Sequence, residues 1–148
     1  MPTQVALPIL MPILEAGANE EDERMSDRWA ALLANAAGWP GRVPPRFPSI
    51  LSELSPPEAA LLDAIFVEAH SGGGAPWESH VVKVLELESP LDAEQRAVAM
   101  DTLIALGLCF AQQITAPGVI SENREVVYLT TLGRAFVREC RAPLERPG

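Results

Sequence analysis

Apolar residues recur at helical spacing through much of the N-terminal half of the chain. The clearest repeat lies in residues 19–38, where Asn19 is the predicted N-cap and Gly38 the predicted end. Glu20, Glu21, Asp22 and Glu23 supply negative charge to the first turn, where it suits the helix dipole. The predicted buried face comprises Met25, Trp29, Leu32, Leu33 and Ala36.

Two further repeats predict helices on either side of residue 55. The first follows the i, i+3, i+4, i+7 pattern at Phe47, Ile50, Leu51 and Leu54, and tolerates Pro48 only in its first turn. Ser55, Pro56 and Glu58 predict the N-cap, first residue and capping-box partner of the second, which should end before Gly72-Gly73-Gly74. Its predicted buried residues are Leu61, Leu62, Ile65, Phe66 and Ala69.

The first 18 residues form a short apolar segment that the prolines Pro8 and Pro12 interrupt. We expect a helix from Pro8 onward. The apolar residues of the segment follow a helical spacing at Leu7, Leu10, Met11 and Leu14. So short an element cannot cover its own apolar residues. We expect them to pack on the Trp29 helix or on a second copy of the chain, with a homodimer favoured.

The pattern changes after residue 76. Residues 76–88 favour a helix, although the run VVKV is compatible with a strand. Ser89 or Asp92 is the predicted cap of the next helix, which ends at Gly107. Its predicted inward residues are Val98, Leu103, Ile104 and Leu106.

Two β-rich runs, LCFAQQIT and EVVYLT, then flank the turn-prone stretch APGVISENR and predict a hairpin. Thr131 is the predicted cap of a last helix, which Pro143 follows. Its predicted inward residues are Leu132, Phe136, Val137 and Cys140.

This order predicts a single, mostly α domain with a small β-hairpin. Residues 1–55 would be a helical extension packed on a winged-helix-like unit at 56–141, and residues 142–148 a disordered tail. A chain of 148 residues with 48% hydrophobic and 21% charged residues can form a sizeable core.

Charge and cysteine content narrow the possible settings. The net charge of -9 repels nucleic acid and anionic membranes, so nucleic-acid binding is not expected. The longest N-terminal apolar run, VALPILMPIL, has about half the length of a membrane span. No secretory signal pattern is evident, which predicts a cytoplasmic protein whose Cys109 and Cys140 are buried free thiols.

No motif predicts an enzyme, a metal site or a cofactor. The histidines His70 and His80, even taken with the cysteines and with Asp63 or Glu78, lack the paired spacing of zinc ligands. Spacing alone does not exclude a nucleophilic Cys–His pair, but buried structural cysteine is the better interpretation. The Gly72-Gly73-Gly74 run lacks the Lys-Ser or Lys-Thr of a phosphate loop.

Arg134, Arg138 and Arg141 recur at i, i+4 and i+7 and form a basic stripe on the last predicted helix. One interpretation is a favourable charge near the helix C-terminus with ion pairs to the acidic N-terminal half. The other is a docking patch for a partner protein with an acidic surface or for a phosphate backbone. These three residues are the predicted partner-binding site.

Several stretches together resemble the prokaryotic abortive infection alpha family. They are WAALLANAAG, preceded by EEDE, then FPSILSELSPPEAALLDAI, LIALGLCF and VYLTTLGRAFVREC, which span about residues 15–141. The resemblance implies a bacterial protein associated with defence against phage, and it carries over no catalytic residues. Family members often have more sequence before the Trp-containing helix.

These observations favour a non-enzymatic protein-interaction or regulatory module of a phage-defence system. The alternative is a winged-helix transcription regulator, with residues 89–106 in the DNA groove. That segment carries Asp92, Glu94 and Asp101 against Arg96, which disfavours contact with phosphates.

Overall fold

A computed structural model describes residues 7–19, 21–39, 41–71 and 81–141. The chain forms two compact units, one made of Met1–Pro56 with Phe136–Gly148 and the other of Pro57–Ala135. The elements in chain order are α1 (Leu7–Asn19), α2 (Glu23–Gly38), α3 (Arg46–Glu53), α4 (Pro56–Ala69), β1 (Val82–Lys83), a 3₁₀ turn (Val84–Glu86), α5 (Ala93–Ala105), β2 (Cys109–Ala116), β3 (Val119–Leu129) and α6 (Thr131–Glu139).

The predicted fold class is confirmed, because the described chain is mostly helical with one small antiparallel sheet. The order of elements is compatible with a winged-helix unit, and that resemblance stays a prediction. So do the single-domain organisation and its boundary at residue 55. The predicted tail, residues 142–148, lies outside the described residues.

In the first unit, α2 begins later than predicted. The Asp22 carboxylate accepts a hydrogen bond from the Met25 amide at 2.9 Å and is the N-cap, whereas Asn19 is the last residue of α1. The helix ends at Gly38, as predicted. Of the predicted apolar face, Leu33 is only partly buried and the other four residues are buried.

Helix α1 packs against α2 and α3. Among the side chains described on α1, Ile13 is buried, while Met11 and Leu14 are each 47% exposed. Gly17 lies against Trp29 of α2. The expected packing of this segment on the Trp29 helix is therefore present, yet it leaves apolar surface uncovered.

Helix α3 buries the residues that its spacing predicted: Phe47, Ile50, Leu51 and, just after the helix, Leu54. Pro48 lies in its first turn, where a missing amide hydrogen costs no helical hydrogen bond. The Phe47 ring meets the Phe136 ring edge-on, with centroids 5.6 Å apart.

In the second unit, α4 starts at the predicted Pro56 and buries Leu61, Leu62, Ile65 and Ala69, with Phe66 partly exposed. The favoured helix at 81–88 is wrong. Val82 and Lys83 form β1, with Val82 buried and Lys83 exposed, and a 3₁₀ turn follows. Two residues of the run VVKV, Val82 and Lys83, thus join the sheet. Residues 72–80, with the triple glycine and the first part of this prediction, lie outside the described residues.

The sheet has the strand order β1-β3-β2 and is antiparallel throughout. The predicted β2-β3 hairpin is confirmed, but its turn is only Pro117-Gly118, shorter than the predicted nine residues. Proline favours the first turn position, and Gly118 adopts φ 82°, which other residues rarely take. The register shifts between Ala111 and Gln112, where β3 carries an irregularity.

Helix α5 begins at the second of the two predicted caps. Asp92 and Gln95 form a complete capping box, with hydrogen bonds of 2.8 and 3.0 Å. Val98 is 63% exposed, so its inward prediction is wrong. Leu103 is buried, as predicted, together with Ala99 and Met100. Gly107 follows the helix with φ 79°, as a C-terminal stop requires.

A compact junction joins the end of α5, the hairpin and the start of α6. The Leu108 carbonyl accepts the Thr130 amide at 3.0 Å, and the Thr130 hydroxyl lies 2.6 Å from the Gly107 oxygen and 3.0 Å from that of Leu108. The same hydroxyl accepts the Gly133 amide at 2.9 Å. Thr130, and not the predicted Thr131, is therefore the residue whose side chain caps α6.

We predict that Gly133→Ala destabilises the protein by at least about 3 kcal/mol, because overpacking against backbone leaves no soft group to yield. A Cβ at Gly133 would overlap the Leu108 oxygen, lie 2.9 Å from its carbonyl carbon and 3.0 Å from Leu129 Cδ1. Urea unfolding followed by circular dichroism measures the change.

The matched control is Gly38→Ala, where the added Cβ has no neighbour within 4 Å. That change should alter the free energy of unfolding by less than about 1 kcal/mol. Equal effects of the two substitutions would show that the Leu108 contact does not constrain position 133.

Candidate functional site

In the structure, the three arginines of the predicted stripe differ in their burial. Arg134 is partly buried, and its Nε is buried without a hydrogen-bond partner. Arg138 is 57% exposed and Arg141 is exposed just beyond the end of α6. Arg134 belongs to the second unit and the other two to the first. Their joint role in partner binding stays a prediction.

A buried carboxylate dominates the polar interior of the first unit. Glu139 is almost completely buried, and its Oε1 lies 2.7 Å from Arg42 Nη2 and 3.0 Å from Arg42 Nε. Arg138 Nε is 3.3 Å from the same oxygen. The Arg42 guanidinium also stacks at 5.1 Å from the centre of the Trp39 ring. These contacts compensate a charge that burial alone would make very costly.

The Arg42–Glu139 ion pair has its charges on the opposite parts of the chain from those expected. The sequence predicts that the arginines of the stripe supply the cations and that the acidic N-terminal half supplies the anions. Between Arg42 and Glu139, the N-terminal residue is the cation and the residue of α6 is the anion. Sequence spacing could not show this pair, because its members are 97 residues apart.

Asn35 is a further polar residue that the sequence patterns missed. It is buried on α2, and its Nδ2 donates to the Glu139 carbonyl at 2.8 Å and to the Arg141 carbonyl at 3.0 Å. These oxygens belong to the C-terminal end of α6, where helical carbonyls have no partners of their own. The available signal was an asparagine within the otherwise apolar run WAALLANAAG.

An apolar groove lies between α1 and α2. It has a volume of about 340 Å³ and is lined by Ile13, Leu14, Gly17, Ser26, Trp29, Ala30 and Leu33. Leu14 lines it while remaining half-exposed, and Met11 is equally exposed one turn earlier on α1. Ser26 is the one hydroxyl-bearing residue of this lining and no charged side chain contributes, so the groove suits an apolar group.

Two arginines of the second unit are engaged in internal contacts. Arg96 on α5 donates to four carbonyl oxygens at 3.0 to 3.4 Å, those of Val84, Leu85, Ser89 and Leu91. Arg124 of β3 forms an ion pair with Asp101 of α5. Arg96 therefore holds the segment that leads into α5. Residues 57–135 contain four basic and eleven acidic residues, a net charge of -7.

The sequence matches the family model described as abortive infection alpha over residues 2–140. The chain belongs to the abortive infection alpha family. No curated protein and no solved structure matches it. An abortive infection alpha protein has an abortive-infection-related role, and the resemblance identified from the sequence is confirmed.

The thiols of this abortive infection alpha protein are buried. Burial raises the pKa of Cys109 from 9.0 to about 12, because the thiolate would lose its hydration. The predicted interpretation of both cysteines as buried free thiols is confirmed. A protonated thiol is a poor nucleophile and a poor metal ligand.

Of the other candidate metal ligands, His70 contacts Phe66. The His70 ring lies tilted by 37° against the Phe66 ring, with centroids 4.4 Å apart, and its Nδ1 is 2.8 Å from the Phe66 carbonyl oxygen. His80 and Glu78 lie outside the described residues. Within residues 7–19, 21–39, 41–71 and 81–141, no three His, Cys, Asp or Glu side chains are grouped to hold a metal ion. None of the helices described there is long and apolar enough to cross a membrane.

We predict that native Cys109 resists aromatic disulfide reagents at pH 8, where a thiol with a pKa near 12 is about one ten-thousandth ionised. The contribution of this buried thiol to the free energy of unfolding is complete below pH 9. It is lost as pH rises from about 9 towards 12, since only the thiol of the unfolded chain ionises in that window. Absorbance titration of Cys140→Ser follows this one thiol. Reaction without urea as rapid as reaction in urea would contradict its burial.

Proposed function

We propose that this abortive infection alpha protein is a non-enzymatic interaction module of a phage-defence system and acts by binding another protein. The apolar groove between α1 and α2 carries this proposal. Leu14 at its edge is half-exposed and offers apolar area that water solvates poorly, whereas Trp29 in its wall is buried. An apolar segment of a partner protein would displace that water.

Two exposed arginines of the first unit would suit a partner with an acidic surface. Arg138 and Arg141 are exposed in the same unit as the groove. Protein interfaces commonly combine an apolar centre with a polar, solvent-accessible rim. We therefore retain Arg134, Arg138 and Arg141 as proposed partner-binding residues, of which Arg138 and Arg141 are exposed.

The surroundings of three ionisable groups support a non-enzymatic role. Glu139 is neutralised by Arg42, Arg96 binds backbone carbonyls, and the raised pKa of Cys109 keeps its thiol protonated. Each of these groups stabilises the fold where it stands. A catalytic acid, base or nucleophile would instead need access to a substrate atom.

We predict that Leu14→Lys abolishes phage protection, because a charged side chain at the groove would have to be desolvated on binding. Plaque counts with and without the neighbouring genes, paired with pull-down of the tagged protein, measure the loss together with the missing partner. The matched control is Leu85→Lys, at an equally exposed leucine of the other unit.

Retained protection in Leu14→Lys, with an unchanged set of captured proteins, would refute docking at the groove. The wider proposal would fail if the wild-type protein bound nothing and its deletion left phage sensitivity unchanged. Arg138→Glu should weaken the same capture, since it reverses the exposed charge of a proposed partner-binding residue.

The alternative function is a DNA-binding transcription regulator, and the charges disfavour it. Arg96 is the one cation of α5 and is held by backbone carbonyls. The exposed side of α5 presents Glu94, Val98 and Asp101. Such a surface would repel the phosphates that flank a DNA groove.

We predict no duplex DNA binding tighter than about 10⁻⁴ M at physiological salt, the weak end of non-specific affinity. Fluorescence anisotropy with a labelled duplex measures it. Submicromolar, salt-sensitive binding that Arg138→Glu abolishes would favour the regulator instead.

A further inference from the structure

Strand β2 lies at an outer position of the described sheet. In the order β1-β3-β2, one side of β2 pairs with β3, and no other described strand pairs with the opposite side. Its eight residues, Cys109–Ala116, include no charged residue and no proline. Natural proteins commonly place charges, proline or bulges on exposed edges, because an unpaired edge recruits another strand.

The outward side of this hairpin is apolar. Phe110 is 51% exposed and stacks on Tyr128 of β3, with ring centroids 5.0 Å apart and planes 18° apart. Ile114 is 45% exposed. Because side chains alternate along a strand, Phe110, Gln112 and Ile114 share one face of β2.

The far half of the hairpin has little cover on either face. Gln113 is exposed, although it points opposite to its neighbours Gln112 and Ile114, and Val119 on β3 is 58% exposed. A two-stranded ribbon in water is only marginally stable by itself. An additional strand beside β2 would give this ribbon further hydrogen bonds and apolar contacts.

The exposed pattern of β2 is complementary to itself in an antiparallel arrangement. With Gln112 on a two-fold axis, Phe110 of one copy lies opposite Ile114 of the other, and the two Gln112 side chains face each other. Pairs of an aromatic and a β-branched residue are favourable across strands. A symmetric dimer requires such a self-complementary surface.

Charge restricts where a second copy of the chain could bind. Each copy carries a net charge of -9, so association through a charged surface would place like charges together. An uncharged strand avoids that repulsion at the point of contact. A strongly acidic or basic partner would gain no ion pair from β2 itself.

We propose that two copies of the protein associate through antiparallel pairing of their β2 strands about Gln112, which joins their sheets into one. This inference is independent of the proposed groove on α1 and α2. The overall negative charge still opposes association, so salt should strengthen the dimer by screening the longer-range repulsion.

A charge-exchange experiment at the two-fold axis tests this register. Gln112→Glu places two carboxylates opposite each other, and Gln112→Lys places two ammonium groups there. Sedimentation velocity of the full chain, at up to about 200 µM, should show a wild-type dimer with a micromolar dissociation constant. Each variant alone should raise that constant at least about tenfold, and a mixture of the two should restore dimers.

Matched variants separate this interface from other surfaces. Ile114→Lys should weaken the dimer, whereas Val119→Lys, at a more exposed position on β3, should leave it intact. Circular dichroism checks that all variants fold. Raising salt from about 50 mM to about 500 mM should favour the wild-type dimer.

Several outcomes would overturn the proposal. A monomeric wild type at the highest concentration excludes self-pairing, and dimerisation of Gln112→Glu at the wild-type level excludes this register. Failure of the Glu and Lys variants to associate when mixed excludes the two-fold contact at Gln112. Loss of the dimer in Leu14→Lys but not in Ile114→Lys would place the interface on α1 instead.

Discussion

The Leu108 carbonyl is the contact on which the arrangement of the second unit depends. It accepts hydrogen bonds from Thr130, and it occupies the space where Gly133 has no side chain. Because Leu108 follows α5 and Thr130 precedes α6, this one oxygen links the entry to the hairpin with its exit. The register begins directly beside it, at the pair Cys109 and Leu129.

The register that starts at this junction decides which surface remains uncovered. It turns Cys109 and Ala111 of β2 inward and leaves Phe110 and Ile114 outward. On β3, Val127 faces inward and also pairs with Val82 of β1. The inner face therefore belongs to the core, and the free edge of β2 is both uncharged and apolar on its outer face.

Two arginines of the described residues are used in contacts within the protein. Arg42 is committed to buried Glu139, and Arg96 to four backbone carbonyls. In each case an arginine meets an oxygen-rich site that a shorter or singly donating side chain would fill less well. The described surface that remains includes exposed carboxylates and exposed apolar side chains.

Local sequence signals predicted most helices, but not always their first residue. Asp92 with Gln95 was a recognisable capping box, whereas Asn19 and Thr131 were plausible caps displaced by Asp22 and Thr130. Neighbouring residues can offer equivalent side-chain oxygens, and backbone direction decides which one reaches the free amide. Val98 was assigned inward for a related reason, since α5 contains apolar residues on more than one face.

By itself, the sequence determined the mostly helical class, the hairpin, the acidic charge and the family, because periodicity, turn residues and motif order are local or additive properties. Tertiary structure alone decided that 82–83 would join the sheet, that Asn35 would cap α6, and that Arg42 would pair with Glu139. It also determined which apolar residues remained exposed at the groove and along β2. These outcomes depend on contacts between residues far apart in the chain, which no local pattern specifies.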